Sequence, residues 1–351
     1  MRIMHVTDCM NAGVSTAIID LVRANPQHDH LLLWQTKSDS PEPSKFELNN
    51  FFQSDYRLKS ALVPSVLQLR KLTIQFQPDI IHLHSSRAGF IGRVIPSRVK
   101  IFYSSHGFGF QRMDVPRVLR YLFWSIEFIM RNRTDSYVAF WPLDFKLASS
   151  NIKYKKVLFH KTALLREFPI QNLSKKRIKN KVFITTARLA KAKDPLFLVQ
   201  ALQLMSLKPR PITKLSTTPK FIWIGLFGGE SRNSKIPAKM KNVGIELVSW
   251  KNHKDLKSEL SLAEATLITS AWESGPMTFY ESLLAGTPVI MRDIESVSMY
   301  SFRKYQTPEE FKNGILSHLL DPKYRQTALD DQIRTVNDYF EGTQFDFNIY
   351  N

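Results

Sequence analysis

Short apolar runs that favour strands alternate along the chain with stretches whose apolar residues recur at helical spacing. In the first half this pattern predicts strands over residues 2–7, 31–34, 80–84, 101–105 and 137–140, and helices over residues 15–23, 62–76, 88–94 and 117–133. A polar stretch over residues 37–55, which contains two prolines, predicts a long loop. Because alternating strands and helices are typical of parallel sheets covered by helices, we expect an α/β fold.

The second half of the chain repeats this alternation. Strands are predicted over residues 182–187, 221–224, 243–248, 266–269 and 289–291, and helices over residues 195–205, 254–262, 277–284 and 322–340. A capping box at Thr307–Glu310 marks the start of one more helix. Between the halves, residues 151–181 are rich in lysine and arginine and predict the link between two domains, which suits a chain of 351 residues.

Residues 266–291 predict one strand, turn, helix and strand in succession. Gly275 and Pro276 break the chain after the strand, and Pro276 suits the first position of the helix that is predicted over residues 277–284. Ligands of parallel sheets bind beyond the carboxyl ends of the strands. The amides of Met277 and Thr278, which lack partners inside the helix, would point there and predict a phosphate site.

Two acidic residues flank this predicted phosphate site. Glu273 lies in the turn, and Glu281 lies on the order of 7 Å along the axis from the start of the helix. Carboxylates do not bind phosphate, but they accept hydrogen bonds from sugar hydroxyls on either side of a diphosphate. The pair therefore favours a nucleotide-sugar site, and the alternative is an ordinary turn with two solvated acids.

The segment Glu273-x7-Glu281, followed by Ala285-Gly286-Thr287-Pro288-Val289, resembles the signature of the family-4 retaining glycosyltransferases. The resemblance implies the GT-B architecture, in which two Rossmann-like domains with parallel sheets face an interdomain cleft. It implies an acceptor-side domain at residues 1–165 and a nucleotide-sugar domain at residues 166–320. A C-terminal helix within residues 321–351 is expected to cross back to the first domain.

The resemblance also implies which residues bind the donor. Arg188 and Lys193 follow a predicted strand and would hold the diphosphate, whose charge increases as the glycosidic bond breaks. Glu281 would bind the ribose hydroxyls. The whole implied donor-binding set is Arg188, Lys193, Gly275, Pro276, Met277, Thr278 and Glu281.

Two residues are the catalytic candidates. Glu273 would hold the donor sugar, and His106, at the end of a predicted strand and before a glycine, would contact that sugar from the other domain. A satisfied loop histidine is the alternative for His106. Gly13, in a predicted turn after the first strand, is a candidate contact for a phosphate or for the acceptor.

His82 and His84 alternate on one predicted strand and therefore share a face. A metal site needs a third ligand, and no nearby acid supplies one. We therefore expect histidines at a strand end and no metal site, and the resemblance likewise implies a reaction without an essential metal or a cofactor.

The segment 117–133 combines a broad apolar and aromatic stripe with arginines at both ends. It predicts either a helix at an anionic membrane surface or a core helix with polar ends. Trp250, which follows a predicted strand, either stacks on a nucleotide base or belongs to the core.

The net charge of +18, from 49 basic and 31 acidic side chains, points to anionic partners. Nucleic acid, anionic lipid and phosphorylated substrates all fit this charge, but the motifs of sequence-specific nucleic-acid binding are absent. The chain has one cysteine, Cys9, and its first residues do not make a signal peptide. We therefore expect a cytoplasmic protein, peripheral on the inner face of the cell membrane.

The resemblance implies a retaining hexosyltransferase that moves a sugar from a nucleotide-diphosphate-sugar donor to a hydroxyl. The preferred acceptor is a lipid-linked oligosaccharide in bacterial surface polysaccharide biosynthesis, such as that of O-antigen or capsule. A nucleotide-sugar epimerase of the same architecture is the alternative enzyme. A basic nucleic-acid-binding protein is the alternative from a different class, supported by charge alone.

Overall fold

The structure is a computed structural model that describes residues 1–10, 12–35, 48–95, 98–170, 181–206, 218–225, 235–251, 253–346 and 349–350. The chain forms two compact units. One contains Met1–Ala163 and Gln344–Asn351, and the other contains Leu164–Thr343. The division lies close to the expected position, residue 165.

The first unit is built on a sheet of seven parallel strands in the order β3-β2-β1-β4-β5-β6-β7. The strands are β1 (Arg2–Thr7), β2 (Asp29–Trp34), β3 (Ser54–Arg57), β4 (Ile80–His84), β5 (Lys100–Ser104), β6 (Ser136–Ala139) and β7 (Val157–Phe159). The helices are α1 (Ala12–Ala24), α2 (Leu62–Phe76), α3 (Ser86–Arg93), α4 (Arg117–Met130) and α5 (Pro142–Lys146), and α5 continues into a π-helix over Leu147–Ile152. Strands β1, β2, β4, β5 and β6 are buried almost throughout, as expected for a sheet covered on both faces.

The second unit has five parallel strands in the order β10-β9-β8-β11-β12. They are β8 (Val182–Thr186), β9 (Lys220–Ile224), β10 (Ile245–Val248), β11 (Ala265–Ile268) and β12 (Val289–Met291). Its helices are α6 (Ala163–Arg166, at the division between the units), α7 (Pro195–Ser206), α8 (Ile236–Asn242), α9 (His253–Leu262), α10 (Met277–Leu284), α11 (Pro308–Leu320) and α12 (Pro322–Glu341). The capping box predicted at Thr307 is present, and Asp321 caps α12.

The two parallel sheets with their helices confirm the predicted α/β fold. Three local predictions need correction. Ser54 and Asp55, which were placed in a loop, belong to the edge strand β3, while the preceding segment 36–47 lies outside the described residues. Gly13 lies within the first turn of α1 instead of in a turn before it. Pro276 caps α10 instead of forming its first residue.

Helix α4 turns an acidic residue inward. Glu127 is its one buried residue, although the helix is rich in apolar side chains. Its carboxylate forms an ion pair with Arg93 at 2.9 Å and accepts hydrogen bonds from the hydroxyls of Tyr103 and Tyr154 at 2.8 and 2.9 Å. Because the pair is removed from water, this complete set of partners is what makes its burial tolerable.

The apolar stripe of α4 faces outward. Val118, Tyr121 and Ile129 are each more than 70% exposed, and Leu122 is 51% exposed. The alternative of a core helix is therefore wrong. Helix α4 is held through Glu127, through polar contacts at its ends and through half-buried aromatic side chains such as Phe123, while Val118, Tyr121 and Ile129 project from the surface of the described residues.

Glu127→Ala is expected to lower the free energy of unfolding by roughly 3 kcal/mol or more, because it leaves the buried Arg93 guanidinium without its counter-charge. Urea denaturation followed by circular dichroism measures this change. Glu341→Ala, at the exposed end of α12, is the control and should change stability by about 0.5 kcal/mol or less. Equal effects of the two substitutions would show that the buried pair does not anchor α4.

Candidate functional site

The strand order of the second sheet reverses between β8 and β11. In parallel α/β sheets the loops that follow the two strands at such a point diverge and leave a crevice for ligands. Here these loops are residues 187–194, after β8, and residues 269–276, after β11. They contain Arg188, Lys193, Glu273, Gly275 and Pro276, so the topology brings the predicted donor residues to one edge of the sheet.

Several hydrogen bonds tie the two loops together. The Thr186 and Thr278 hydroxyls are 2.7 Å apart, which joins the end of β8 to the first turn of α10. The Thr269 hydroxyl donates to the carbonyl of Lys193 at 2.7 Å, and the amide of Ala271 donates to the carbonyl of Ala192 at 2.8 Å. The relative position of the two loops is therefore fixed by the backbone and by short side chains.

Lys193 and Glu273 form an ion pair between these loops. The Lys193 ammonium lies 2.7 Å from the Glu273 carboxylate, and the side chains are 27% and 11% exposed. Glu273 also accepts a hydrogen bond from the hydroxyl of Ser270. An ammonium group has three donors, so Lys193 can hold Glu273 and still donate to a bound anion.

Helix α10 begins directly beside this ion pair. Gly275 lies in the turn, Pro276 is the N-cap, and the helix runs from Met277. The Thr278 hydroxyl, which contacts Thr186, fixes this end of the helix against β8. The positive end of the helix and the Lys193 ammonium thus lie at the same edge of the sheet, which suits binding of phosphate.

Arg188 and Glu281 occupy the margins of this region. Arg188 follows β8 by two residues, and the turn it begins is packed so closely on Gly225 that a Cβ atom there would lie 1.9 Å from the carbonyl oxygen of Ala187. Glu281 lies one turn into α10 and is half-buried. Arg188 thus lies in the loop that carries Lys193, and Glu281 lies on the helix that follows the loop of Glu273.

Trp250, after β10, is 48% exposed, so its alternative placement in the core is wrong. It lines an open groove of about 380 Å³ together with Lys251, Asp255, Ser258 and Glu259. Lys175, Lys176, Arg177 and Lys179 of the basic link lie outside the described residues.

The first sheet reverses its strand order between β1 and β4. Ser85, directly after β4, adopts a left-handed φ of 93°, caps α3 and donates a hydrogen bond to Asp8, which follows β1. Gly13, in the first turn of α1, lies on the same side of the sheet. This edge of the first unit is therefore as tightly braced as its counterpart in the second.

His106 follows the next strand, β5, in a turn with left-handed backbone at both His106 (φ 50°) and Gly107 (φ 104°). Its ring stacks on Phe140 with centroids 4.9 Å apart, and its Nε2 lies 3.1 Å from Nδ1 of His84. Burial lowers the pKa of His106 to about 3, so the ring is neutral at physiological pH. A non-glycine residue in this backbone conformation is unusual and is concentrated at functional sites.

Sequence reasoning missed His5. His5 lies opposite His82 in the pairing of β1 with β4. One ring nitrogen from each of His5, His82 and His84 lies within 4.8 Å of the other two. The missing third histidine thus comes from the neighbouring strand, which only the pairing of strands reveals. Both ring nitrogens of each of these three histidines are hydrogen-bonded within the protein.

Comparisons with known families cover both units. The family model described as Glycosyltransferase Family 4 matches residues 12–140, and the model described as Glycosyl transferases group 1 matches residues 169–334. The chain belongs to the family-4 glycosyltransferases. This confirms the resemblance found in the sequence.

Two relatives and two solved structures extend this finding. An uncharacterized 41.2 kDa protein of the Klebsiella pneumoniae cps region is 24% identical over 92% of this chain and 86% of its own length. The Escherichia coli UDP-Gal:alpha-D-GlcNAc-diphosphoundecaprenol alpha-1,3-galactosyltransferase is 22% identical over 66% of this chain and 62% of its own length.

A sucrose-phosphate synthase from Thermosynechococcus elongatus superposes with a TM-score of 0.72 at 14% identity, covering 97% of this chain and 95% of that one. Anabaena HepE in complex with UDP and glucose gives a TM-score of 0.70 at 14% identity, covering 97% and 98%.

These superpositions show that the glycosyltransferase has the GT-B fold that was predicted. Among the described helices, none has both the length and the apolar character that crossing a bilayer requires.

The buried histidines predict a loss of stability in mild acid. Burial lowers the pKa of His5, His82 and His84 well below the ordinary 6.5 and that of His106 to about 3. Below pH 6.5 the unfolded chain therefore binds protons that the folded chain does not, and each histidine costs roughly 1 kcal/mol of stability per pH unit. Above pH 7 these groups are neutral in both states and contribute no slope.

Urea unfolding at half-unit intervals from pH 8.0 to 5.5 measures this dependence. We expect little change down to pH 7 and a steep loss between pH 6.5 and 5.5, before most carboxylates titrate. A free energy of unfolding that stays level through pH 5.5 would mean that these rings are not held neutral.

Proposed function

We propose that this glycosyltransferase moves a hexose from a nucleoside-diphosphate-sugar to a hydroxyl of a lipid-linked oligosaccharide, with retention of configuration and without an essential metal, in bacterial surface polysaccharide assembly. The observation that carries the proposal is the Lys193–Glu273 ion pair beside the start of α10. The cps-region relative and the relative named for transfer onto a diphosphoundecaprenol-linked sugar support the class of acceptor. The neighbour named for its complex with UDP and glucose supports a nucleotide-sugar donor.

In this proposal the leaving diphosphate is the group that the site stabilises. Negative charge accumulates on its oxygens as the glycosidic bond breaks, and fixed positive groups lower the energy of that state. Arg188, Lys193 and the amides of Met277 and Thr278 supply these groups. Arg188 offers a planar, bidentate donor, whereas Lys193 acts as a point charge.

The two carboxylates bind the sugars on either side. Glu281 accepts from the ribose hydroxyls, and Glu273 accepts from the hydroxyls of the transferred sugar. Lys193 and Ser270 already hold Glu273, which favours an orienting role for this carboxylate over that of a nucleophile. His106 contacts the same sugar, and no covalent intermediate with the enzyme is part of the reaction.

Arg188→Ala and Glu281→Ala are each expected to weaken donor binding about ten- to a hundredfold, because each removes a charge-assisted hydrogen bond worth about 1.5–3 kcal/mol. A thermal-shift screen of nucleotide-sugars identifies the donor, and calorimetry then measures its affinity. Lys191→Ala is the control, because Lys191 lies in the same loop but is exposed. Donor affinity that is unchanged in both variants, with the fold retained, would falsify the site assignment.

A nucleotide-sugar epimerase would bind the same donor, so product analysis separates the two activities. Incubation of the donor with enzyme alone should leave the sugar configuration unchanged, and transfer should require an added lipid-linked acceptor. Formation of an epimer without acceptor would contradict the transferase proposal.

The outward face of α4 supports contact with an anionic bilayer. The C-terminal end of α4 contacts the segment before a basic turn, because Trp124 donates to Asn151 at 2.6 Å and Arg131, directly after α4, donates to the carbonyl of Ile152 at 3.1 Å. These contacts hold the chain that leads directly into an exposed basic turn, which contains Lys153, Lys155 and Lys156. Apolar side chains flanked by several cations match the interface of an anionic membrane, where each cation contributes about 1 kcal/mol.

Ile129→Asp is therefore expected to reduce co-sedimentation with vesicles of phosphatidylglycerol and phosphatidylethanolamine at least tenfold at low salt. The matched control is Ile74→Asp on α2, because Ile74 is 68% exposed and Ile129 is 72% exposed. Equal binding of both variants, or equal binding to vesicles without anionic lipid, would remove α4 from the proposed interface.

A further inference from the structure

Four imidazole rings form a continuous hydrogen-bonded chain through the first unit. His30 Nε2 lies 2.9 Å from the carbonyl oxygen of Asn25, and His30 Nδ1 lies 3.0 Å from His5 Nε2. His5 Nδ1 lies 3.1 Å from His84 Nε2, and His84 Nδ1 lies 3.1 Å from His106 Nε2. The chain runs from a backbone carbonyl at one end to the candidate catalytic ring at the other, and we refer to these four rings as the histidine relay.

The carbonyl of Asn25 dictates the direction of every bond in the relay. A carbonyl only accepts, so His30 carries its proton on Nε2, and a neutral ring then leaves Nδ1 as an acceptor. The next ring, His5, must donate from Nε2 for the same reason. Repeating this step along His84 assigns the Nε2–H tautomer to His106 as well, with the lone pair on Nδ1.

Burial keeps the four rings of the relay neutral, so each ring has one donor nitrogen and one acceptor nitrogen. His5 and His84 are fully buried and His30 is 3% exposed, and no described carboxylate hydrogen-bonds to any of the four rings. An additional proton on His30, His5 or His84 would place two donors against each other at one of the 3.0–3.1 Å contacts. His106 Nδ1 stays unprotonated at physiological pH because burial lowers the pKa of this ring to about 3. A single arrangement of protons therefore satisfies all the contacts.

His82, which is not part of the relay, also has its tautomer fixed by its hydrogen-bond partners. The Ser104 hydroxyl donates to the carbonyl of Val138 at 2.7 Å, so it accepts from His82 Nε2 at 2.9 Å. His82 Nδ1 then accepts from the hydroxyl of Tyr350 at 2.7 Å. The lone pairs of His5, His82 and His84 are all used in this way, which disfavours a metal ion at this cluster.

We propose that the histidine relay fixes His106 as a hydrogen-bond acceptor through Nδ1, and that this atom accepts from a hydroxyl of the transferred sugar. His30, His5 and His84 are then positioning residues that act through the tautomer of His106. This inference rests on the proposed function and adds to it the direction of the hydrogen bond. A donor sugar that offers only an acceptor at that position would be rejected, because two lone pairs would face each other.

Ring tautomers are measured directly by long-range ¹H–¹⁵N correlation spectra of protein labelled with ¹⁵N-histidine at pH 7.5. Single substitutions assign the signals. We expect the Nε2–H pattern at all four relay positions in the wild-type protein. In His84→Leu, which cuts the relay beside His106, we expect His106 to show a mixture of both tautomers.

The outcome that overturns the inference is an Nδ1–H tautomer at His106 in the wild-type protein, or an unchanged His106 spectrum in His84→Leu. Addition of one equivalent of zinc chloride is a second check. Stoichiometric binding that shifts His5, His82 and His84 together would also overturn it, because a metal would take the lone pairs on which the relay depends.

Kinetics separate this inference from the proposed function. His84→Leu should lower kcat by about tenfold or more, whereas calorimetric affinity for UDP should be unchanged, since the diphosphate is assigned to the second unit. His84→Gln should recover much of the loss, because its amide offers both a donor and an acceptor. His28→Gln, beside but outside the relay, is the matched control and should retain full activity.

If neither the wild-type protein nor any variant binds nucleotide-sugars, the proposed function fails whatever the tautomers are. If donor binding and transfer are normal but His84→Leu is as active as the wild type, only the relay inference fails. Should His84→Leu not fold, His30→Leu tests the same prediction at the far end of the relay.

Discussion

The reversal of strand order between β8 and β11 is the constraint on which the donor site depends. Neighbouring parallel strands end at the same edge of the sheet, so their loops must share the space beyond that edge. In this protein hydrogen bonds from Thr186, Thr269 and Ala271 fix the two loops relative to each other. Lys193 and Glu273 therefore meet as a consequence of strand order, although they are 80 positions apart in the sequence.

Two of the buried polar clusters among the described residues of the first unit meet the cost of burial in different ways. Glu127 and Arg93 remain ionised because each has the other, together with two tyrosine hydroxyls, to replace water. The histidine relay has no counter-charge and remains neutral, with its protons arranged in one direction from Asn25. The ionised cluster anchors α4, whereas the neutral cluster ends at His106.

The buried ion pair of Glu127 explains the unusual orientation of α4. A helix with so many apolar residues ordinarily buries its apolar stripe. Here the one fully buried position belongs to Glu127, whose ion pair and hydrogen bonds anchor the helix on its inner side. The stripe is thereby available to a partner, and the basic turn at Lys153–Lys156 lies at the end of the segment that contacts α4.

The sequence by itself determined most of the secondary-structure elements and supplied the candidate residues of the proposed donor site. Most strands and helices were predicted near their observed bounds, because periodicity and local signals such as Gly275–Pro276 and the Thr307 capping box act within a few residues. The spacing of Glu273 and Glu281, together with the Gly275–Pro276 helix start and the segment 285–289 that follows the helix, identified the family, since all of these residues belong to one continuous stretch of the chain. Local patterns therefore carried the α/β fold and the candidate residues of the second unit.

Tertiary structure alone decided three other features. The edge strand Ser54–Arg57 is polar and becomes a strand through pairing with β2. The outward direction of the α4 stripe depends on Arg93, Tyr103 and Tyr154, which lie on other elements. The histidine relay needs the register that aligns β1 with β2 and β4, and this alignment has no signature in any single stretch of the chain. In each case the deciding contact joins residues that are distant in sequence, and such contacts exist only once the sheet has formed.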